Sequence, residues 1–572
     1  METIDYAVIG AYIVVLMAFG AWLARRAAVD SDSYFLGGRK LPWWALGSSG
    51  MASNLDVAGT MTIVALIVLY GLHGFWIEMR GGVVLPIAVF MAFMGKWHRR
   101  SKVMTTAEWM TLRFGDGAGG RAARTMAALT YVVLTIAMIV FFVTAGGRFL
   151  AEFINWSPTQ CSVTIALVAF LYTLVGGLYG VIWTDVFQAF LIGAAAIYVS
   201  VTAAGLVSPE LLAEWPGAKL NTLLPHLSDS ALAPYEPFWF FLGIWAFKGV
   251  LEGLGGSGGS AYMAQRFYAA PHEDDCRKIG ILWTVLFAAR WPMVLGFAII
   301  AMKLGIDAST AEKAEAVLPQ VLLSVYFPAG VRGLIIAAML AAAMSTFDST
   351  INAGASYVVR DLYQPLRKAA STRELVWAGY VASAAIVALG MSLALSLGSS
   401  VLGIWVGIVM LLFPAFLAPF ALRWFWGRFN GAGFAIGVAG GFAAALFFWM
   451  ASPSGWNEAT RFLAISGVSA VASVVGALAT SPVDDSVARR FYDQIRPMGL
   501  WPKAWRVPYA VEHRRDVATL IAGLVWQLLT FLIPMGMVLG LWKQVVPAVA
   551  VWALLTWYVV RSPRTSEVER VV

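Results

Sequence analysis

Long apolar segments recur along the whole chain and are separated by short polar loops. A helix that crosses a bilayer needs about 20 mostly apolar residues, and each of these segments meets that requirement. Their approximate bounds are 4–24, 42–73, 77–97, 122–153, 159–180, 183–206, 236–262, 278–304, 330–360, 374–397, 399–424, 432–451, 459–482, 517–541 and 543–560. The pattern predicts an all-α, polytopic membrane protein with about fifteen transmembrane helices.

Charged residues are scarce, which agrees with this interpretation. The chain has 572 residues, of which 60% are hydrophobic and 13% are charged, whereas about 25% of the residues in soluble domains are charged. The longest segments between predicted helices are 207–235 and 483–515, and both are too short for a water-soluble domain. We therefore expect that the protein is not an enzyme.

The positively charged residues are distributed unevenly between alternate loops. The chain carries 40 Lys and Arg residues and a formal net charge of +8. Most of the basic residues lie in one set of loops, at 25–40, 96–124, 263–278, 360–373, 423–428 and 483–515. Because cytoplasmic loops are enriched in Lys and Arg, we predict an outside N-terminus and a cytoplasmic C-terminus, in a bacterial inner (plasma) membrane. Topology in the lipid bilayer thus explains the charge, and no nucleic-acid partner is expected.

A few charged residues fall inside the predicted spans, where each costs about 2.5–3.5 kcal/mol and marks a functional site by default. They are Asp56, Glu78, Arg80, Asp185, Lys248, Glu252, Arg290 and Asp348. Lys248 and Glu252 are four residues apart on one helix and have the alternative role of neutralising each other. Glu78 and Arg80 lie near a span end, from which they have the alternative of reaching the interface. The three aspartates lie deeper and favour a functional role.

Two spans contain sequence that weakens a helix at mid-membrane. Residues 47–60 combine glycines and hydroxyl residues with Asn54 and Asp56, and residues 253–259 contain five glycines in seven. Backbone released from a helix at that depth must line a cavity or bind an ion. A pair of interrupted spans indicates a secondary transporter built from inverted repeats, with its site at the midplane. Close helix packing through small residues is the alternative.

One face of the predicted helix 330–360 carries oxygen ligands. Ala342, Ser345, Thr346 and Ser349 share that face, and Asp348 lies three residues beyond Ser345. Hydroxyl, carboxylate and carbonyl oxygens together suit an alkali cation better than zinc or copper. Ser and Thr also bond back to their own helix, so the hydroxyls alone do not define a site.

Short motifs between about residues 30 and 440 form a series. They are Tyr34-Phe35-Leu36-Gly37-Gly38-Arg39, Trp43-Trp44, Ala52-Ser53-Asn54-Leu55, Thr106-Ala107-Glu108-Trp109, Arg113-Phe114-Gly115, Gly176-Gly177-Leu178, Trp183-Thr184-Asp185-Val186-Phe187-Gln188, Gln265-Arg266, Ala342-Ala343-Met344-Ser345-Thr346, Arg360-Asp361-Leu362-Tyr363 and Phe425-Trp426-Gly427-Arg428-Phe429-Asn430. In order and spacing the series resembles the sodium/solute symporter family, which includes the sodium-coupled glucose and proline transporters.

The resemblance implies a LeuT-like core of two inverted five-helix repeats. The corresponding divisions are an N-terminal helix and loop at 1–41, repeats at 42–206 and 236–424, two accessory helices at 432–482, a cytoplasmic loop at 483–516, and two extra helices with a short tail at 517–572. It also implies symport, in which sodium moving down its gradient carries a small solute uphill.

Carried onto matching positions, the resemblance places two ion sites. The main sodium site would use the carbonyls of Ala52, Leu55 and Ala342 and the side-chain oxygens of Ser345 and Thr346. A second site would use Asp185, Ser345, Asp348 and Ser349. Members with that site have a hydroxyl where this chain has Asp348. Two close carboxylates do not both stay ionised without a cation, so the second site is expected to hold a sodium ion or a proton.

The substrate candidates are Asn54, Asp56, Glu78, Glu252, Tyr262, Arg290 and Trp405. Sugar-binding members carry a glutamate early in the second core helix, near but shifted from Glu78, and a lysine in the seventh, approximately at Arg290. Their glutamine in the tenth core helix is replaced here by an apolar stretch around Trp405, which disfavours a sugar. Asp56 suits an ammonium group and Arg290 a carboxylate, so the expected solute is an amino acid or another zwitterion or carboxylate. Alternatively, these two residues pair with each other or with Glu252.

The function expected from this reasoning is sodium-coupled import of a small polar organic solute by alternating access. Two alternatives remain at this stage. One is a membrane sensor or scaffold that keeps the same core without transport, and the other is a proton-coupled carrier.

Overall fold

The computed structural model describes residues 1–27, 36–81, 85–213, 222–227, 235–256, 261–398, 400–451 and 454–561. Within these ranges the chain is helical apart from loops and one isolated bridge between Trp426 and Leu500. The helices of the first half are α1 (Thr3–Ala27), α2 (Trp43–Ala52), α3 (Val57–Tyr70), α4 (His73–Ile77), α5 (Pro86–Val89), α6 (Gly95–Ser101), α7 (Glu108–Phe114), α8 (Ala118–Ala151), α9 (Pro158–Ala204), α10 (Pro209–Ala213), α11 (Phe238–Leu254) and α12 (Ala261–Tyr268).

The second half continues in the same way, and its last two long helices form a hairpin. Its helices are α13 (Glu273–Phe287), α14 (Arg290–Lys303), α15 (Ala311–Glu315), α16 (Val317–Leu322), α17 (Val331–Tyr357), α18 (Gln364–Leu366), α19 (Thr372–Leu397), α20 (Val401–Gly407), α21 (Leu417–Phe425), α22 (Gly431–Ala451), α23 (Glu458–Ala479), α24 (Asp485–Ile495), α25 (Lys503–Arg506), α26 (Ala510–Val538) and α27 (Trp542–Arg561). Single π-helical turns occur at Phe90–Met94, Val358–Tyr363 and Ile408–Leu412.

Each predicted span contains helix, but the predicted number of spans is not confirmed. By length and composition, nine helices in the described ranges are able to cross a membrane, or up to eleven if each of two bent pairs counts as one span. Shorter apolar segments in the described residues are Thr3–Phe19 within α1 and Pro158–Leu171 within α9. The short C-terminal tail predicted after the last span lies outside the described residues.

The predicted spans 159–180 and 183–206 are joined in one helix, α9, of 47 residues. Its first turn is fixed by a capping box, in which the Ser157 side chain accepts from the Gln160 backbone N–H. The apolar segments Pro158–Leu171 and Gly180–Ala204 of this helix correspond to the two predicted spans. The boundary between these spans stays a prediction.

Two helix pairs are bent inside an apolar stretch, and one of them was predicted. Helices α2 and α3 meet at 57°, as expected from the sequence 47–60. At the second predicted interruption, α11 ends at Leu254 and α12 begins at Ala261, and residues 257–260 lie outside the described part of the chain. The other bend, of 42°, precedes α21. Pro414 and Pro419 explain it, because proline removes backbone hydrogen bonds from a helix.

Loops predicted to lie on the same side of the membrane contact each other. On the side predicted to be cytoplasmic, Arg113 donates to the backbone carbonyls of Arg423, Trp426 and Phe429 at 3.0–3.1 Å. Arg100 there forms ion pairs through Nε with Glu273 at 2.8 Å and through Nη2 with Glu512, at the start of α26, at 2.9 Å. These contacts join loops that the alternating charge assigns to the same side of the membrane.

The opposite face is assembled by carboxylates that accept hydrogen bonds from helix N-termini. Asp5 accepts from the backbone N–H groups of Gly330 and Gly333 at 2.8 and 2.9 Å, which fixes α1 against the start of α17. Glu315 accepts from the N–H of Leu402 at 2.8 Å and pairs with Arg148 at 3.1 Å. The first contact joins α1 to α17, and the second joins α15 to α20 and α8.

The final hairpin packs on the predicted core. Phe531 of α26 contacts the Trp291 ring of α14, with centroids 5.8 Å apart. At the face of Asp5, the side-chain oxygen of Gln544 accepts from the Leu223 N–H at 2.9 Å, and the Leu223 carbonyl accepts from the Trp76 indole at 3.2 Å. The hairpin therefore holds segment 222–227 against α4.

Candidate functional site

The candidate site begins at the break between α2 and α3. Helix α2 ends at Ala52, and α3 begins after Asp56, whose side chain accepts from the Gly59 N–H at 2.5 Å and caps the helix. Asp56 has extended backbone, which suits a residue at this capping position. The four intervening residues are buried, so the break places polar backbone within the protein interior.

Three of the predicted substrate residues meet at Asn54. Arg290, at the start of α14, donates from Nη1 to the Asn54 carbonyl at 2.8 Å. The Tyr262 hydroxyl of α12 donates to Asn54 Oδ1 at 3.3 Å, and Asn54 Nδ2 donates to the Gly50 carbonyl at 3.0 Å. The break is thus linked to α12 and α14, which carry the predicted substrate residues Tyr262 and Arg290.

Gly59 lies between Asp56 and Arg290. A Cβ atom at this glycine would lie 2.5 Å from Arg290 Nη2 and 3.4 Å from both carboxylate oxygens of Asp56. The acid and the guanidinium therefore approach the same small volume. Asp56 interacts electrostatically with Arg290 in addition to capping α3, which favours the predicted alternative that these two residues serve each other.

Glu78 contacts α20 through Trp405. Its Oε1 accepts from the Trp405 indole at 3.2 Å, and the Trp405 ring stacks on Phe141 with centroids 5.0 Å apart. Only 2% of Glu78 is exposed, and Arg80 is completely buried and paired with Glu458 at 2.7 Å. The predicted alternative that this pair reaches the membrane interface is therefore wrong, because both side chains find partners inside the protein.

Glu252 is paired with Lys248 at 2.6 Å on α11. The Lys248 ammonium also lies 4.5 Å from the centre of the Phe413 ring. The predicted alternative in which these two charges neutralise each other is confirmed. Glu252 is therefore a weaker substrate candidate than the residues around Asn54.

The oxygen-bearing face of α17 contacts α2 and α9. Ser345 donates to Asp185 Oδ1 at 2.5 Å, and Ser49 of α2 donates to the other carboxylate oxygen at 2.5 Å. Ser349 and Ser53 are joined by a hydrogen bond of 2.9 Å. Three of the four residues predicted for the second ion site, Asp185, Ser345 and Ser349, thus belong to one network.

The fourth residue, Asp348, is completely buried on α17. It interacts electrostatically with Arg266 and with Tyr12 of α1. The structure therefore places both carboxylates of the predicted second site in the surroundings of one arginine.

The residues predicted for the main sodium site are all buried. They are Ala52, Leu55, Ala342, Ser345 and Thr346. The Thr346 hydroxyl donates to the Ala342 carbonyl at 3.1 Å, which is the back-bonding that hydroxyls in helices favour. Carbonyl and hydroxyl oxygens at a helix break fit an alkali cation. Within the described residues, no group of three or more His, Cys, Asp and Glu side chains is arranged to hold a metal.

Arg266 is the site residue that sequence reasoning missed. It lies on α12, is completely buried, and contacts Asp185 at 3.4 Å and Ser349 at 2.6 Å. In the sequence it falls in a basic loop and is counted as a cytoplasmic charge. Its spacing from Tyr262, whose carbonyl accepts from Arg266 Nη1 at 3.3 Å, is the available signal that both residues share one helix face.

Comparison with known proteins identifies relatives of this chain. Residues 34–441 match the model of the sodium:solute symporter family. The sodium/glucose cotransporter of Vibrio parahaemolyticus is 26% identical over 485 residues, which cover 78% of this chain and 85% of that protein. The sodium/sialic acid symporter NanT of Aliivibrio fischeri is 26% identical over 385 residues, covering 64% and 71%. The sodium/glucose cotransporter 4 of Danio rerio is also 26% identical, covering 76% and 69%.

A solved structure of a Na+-coupled sialic acid symporter shares the fold. It superimposes with a TM-score of 0.67 and 21% identity, over 84% of this chain and 99% of that one. The predicted fold class, an all-α polytopic membrane protein with a LeuT-like core, is confirmed. With sodium as the coupling ion of such symporters, the match over most of the length leads to one conclusion: the chain belongs to the sodium:solute symporter family.

Proposed function

We propose that this symporter imports a small zwitterionic solute, such as an amino acid, together with sodium. The observation that carries the proposal is a pair of opposite buried charges within electrostatic range of each other: Arg290, which donates to the Asn54 carbonyl at 2.8 Å, and Glu78. Each also interacts more strongly with a neighbour in the fold, Arg290 with Asp56 and Glu78 with Arg80. Buried charges within membrane-spanning segments are expensive unless they serve a ligand or each other. A zwitterion supplies one complementary charge to each.

The hydrogen-bonding capacity of both groups supports this assignment. Among the described residues, Arg290 Nε and Glu78 Oε2 have no hydrogen-bond partner, although both atoms are buried. A buried polar atom costs about 1–3 kcal/mol when it is unsatisfied. A solute carboxylate at Arg290 and a solute ammonium at Glu78 would satisfy both atoms.

In this proposal Glu78, and not Asp56, receives the ammonium group. Asp56 already caps α3 and faces Arg290, so its carboxylate is engaged by the fold. Asn54 and Tyr262 would contribute uncharged hydrogen-bonding groups, and Trp405 would hold Glu78 in position. Glu252 has no role in contacting the solute, since Lys248 neutralises it.

For sodium, we propose the carbonyls of Ala52, Leu55 and Ala342 together with the hydroxyls of Ser345 and Thr346. The hydrogen bond between Ser53 and Ser349 supports this set, because it brings the break against the hydroxyl face of α17. Sodium bound there would hold the break in one geometry and thereby organise Asn54 for the solute. Ion and solute then favour the same conformation, which makes their coupling reciprocal.

The energetic contribution of sodium follows from its charge. One positive charge moving inward across 100 mV contributes about 2.3 kcal/mol, or roughly a fifty-fold accumulation of solute. If the proposed second site also carries a sodium ion, the electrical free energy doubles and the accumulation ratio of the solute is squared. The transported charge per solute therefore measures how many ions take part.

We further propose the predicted topology and division of the chain. The repeats would span 42–206 and 236–424, in a bacterial inner membrane with the N-terminus outside. The two sets of loop contacts, around Arg113 and around Asp5, support two separate faces. Membership of a family of transporters supports the proposal that the chain is a transporter and not an enzyme.

A sugar-type solute is the second candidate, because relatives are named for glucose, myo-inositol, mannose and sialic acid. A thermal-shift screen of purified protein separates the candidates. Amino acids, carboxylates, amines and sugars are compared in sodium and in choline buffer. The proposal expects a zwitterion to stabilise the protein more in sodium. Stabilisation by sugars alone would contradict the solute class, and solute binding that is indifferent to sodium but responds to pH would support a proton-coupled carrier.

A further inference from the structure

The Arg266 guanidinium is surrounded by oxygen atoms from three helices. Its Nη2 atom lies 3.0 Å from Ser49 Oγ, 2.8 Å from Ser53 Oγ, 2.6 Å from Ser349 Oγ and 3.4 Å from Asp185 Oδ2. These oxygens belong to α2 and the break that follows it, to α17 and to α9. The arginine itself is on α12 and has no exposed surface.

This shell contains more oxygens than one arginine nitrogen needs. An Nη atom carries two hydrogens, whereas four oxygens lie within 3.4 Å of Nη2. Three hydroxyls and a carboxylate around a single point are the ligand set of a hard monovalent cation. The geometry resembles a cation site whose centre is taken by the arginine nitrogen.

The charges of the region point the same way. Asp185 and Asp348 are both completely buried, and Arg266 interacts electrostatically with both. A buried carboxylate that loses its partner is left as an uncompensated charge, which strongly destabilises the fold. Arg266 therefore keeps this site neutralised when no sodium is bound.

We propose that Arg266 is a tethered cation that competes with sodium for the oxygens of Ser49, Ser53, Asp185 and Ser349. Sodium displaces the guanidinium from this shell, and the guanidinium returns when sodium leaves. The arginine thus stabilises the sodium-free carrier and allows it to reorient after releasing its cargo. This inference rests on the proposed sodium symport and adds a role for a residue to which the family resemblance gives none.

The first test measures sodium binding without solute. In Arg266→Ala, the sodium concentration giving half-maximal thermal stabilisation is expected to fall about tenfold, because a competing cation has been removed. If Arg266 merely positions the serines, the same substitution raises that concentration, so the two roles give opposite signs. Arg428→Gln is the matched control. It removes a guanidinium that donates to the Thr480 carbonyl at the predicted cytoplasmic face, and it leaves the sodium dependence unchanged.

Chemical rescue makes the test specific to the guanidinium. Millimolar guanidinium chloride is expected to stabilise Arg266→Ala relative to choline chloride and to move its sodium dependence back toward that of the unsubstituted protein. It has no such effect on the unsubstituted protein, whose site is already filled. An unaltered sodium dependence without rescue overturns the proposal.

Transport supplies an independent readout in proteoliposomes. Solute exchange does not require the empty carrier to reorient, whereas net uptake does. Arg266→Ala is expected to retain exchange and to lose about tenfold or more of net uptake. Equal losses of both rates contradict the proposal.

Two further measurements distinguish failure of the proposed Arg266 role from failure of the proposed sodium symport. If Arg266→Ala does not fold, Arg266→Lys replaces it, and its sodium half-saturation must still change, because a lysine ammonium lacks the planar fork that reaches these oxygens. An unchanged value in that variant overturns the proposal. If the unsubstituted protein shows neither sodium-dependent stabilisation nor sodium-driven uptake, the proposed symport itself fails. Sodium dependence that Arg266 does not influence refutes only the tethered cation.

Discussion

Ser53 and Ser349 are 296 positions apart in the sequence, and their hydroxyl oxygens are joined by a 2.9 Å hydrogen bond. One belongs to the helix break after α2, and the other to the face of α17 that carries Ser345 and Thr346. This contact connects the predicted halves of the core at the place where sodium is proposed to bind.

Ser345→Ala and Thr346→Ala should each raise the sodium concentration needed for half-maximal uptake by about tenfold or more, because each removes an oxygen ligand. Sodium titration of solute uptake measures the effect. Ser356→Ala is the control on the same helix, since that hydroxyl donates only to the Ala353 carbonyl, 2.6 Å away. Unaltered sodium dependence in both site variants would refute the ligand assignment.

Asp348→Ser should change the number of charges moved per solute or the pH dependence of uptake. The substitution removes one of two buried carboxylates near Arg266 and so reduces the need for a second cation. The measurement is the charge-to-solute ratio in proteoliposomes at several pH values. An identical ratio together with an identical pH profile would reject a second ion site at this residue.

Glu78→Gln should weaken binding of a zwitterion by about tenfold or more, because the ammonium loses a charged partner. An otherwise identical carboxylate that lacks the amine should be affected much less. Isothermal titration with both solutes in sodium measures the difference. Trp405→Phe keeps an aromatic ring next to Phe141 but removes the indole donor to Glu78. It should reduce zwitterion binding less than Glu78→Gln does. Equal losses for both solutes would place the ammonium elsewhere.

Gly59→Ala should weaken solute binding while the protein stays folded and still binds sodium. The added Cβ would lie 2.5 Å from Arg290 Nη2, and the long arginine side chain is able to move away. Binding is measured with and without solute by thermal shift in sodium. Gly243→Ala is the matched control, because no atom lies within 4 Å of its added Cβ. Normal solute affinity in Gly59→Ala would mean that the position of Arg290 is unimportant for binding.

Single cysteines should reveal the orientation of the chain. Both natural cysteines, Cys161 and Cys276, are buried, which leaves a low background for labelling. Ser309→Cys lies in an exposed loop on the face of Asp5, and Lys368→Cys lies in an exposed loop of the opposite set. A membrane-impermeant thiol reagent applied to intact cells should label the first and should reach the second only after permeabilisation. The reverse pattern would invert the predicted topology.

The sequence predicted well those features that depend on local pattern. The apolar segments located helices, and the run of small and polar residues at 47–60 predicted a break that the structure shows as a 57° bend. Hydroxyl spacing on α17 selected Ser345 and Ser349, which share a network with Asp185. Each of these predictions needed only helix periodicity or the cost of polar backbone in a membrane.

Features that depend on long-range contacts were harder to predict. The sequence assigns Arg266 to a basic loop. Its spacing from Tyr262 indicates a shared helix face but does not predict the contact with Asp185. For Glu78 and Arg80 the sequence does not show that both are held inside the protein, because their partners, Trp405 and Glu458, lie more than 300 residues away in the chain. Hydropathy does not identify such partners.

The contact between Leu223 and Gln544 also has a consequence for biogenesis. The two residues are separated by 321 positions, and the second one lies in α27. During synthesis, segment 222–227 can dock on α4 through Trp76 and through His73, whose Nε2 accepts from the His226 N–H at 3.0 Å, and it gains the contact with Gln544 only after α27 has been inserted. Assembly of this predicted outer surface therefore waits until translation has passed α27, and a ribosome stalled before α27 would leave a nascent transporter that lacks this attachment.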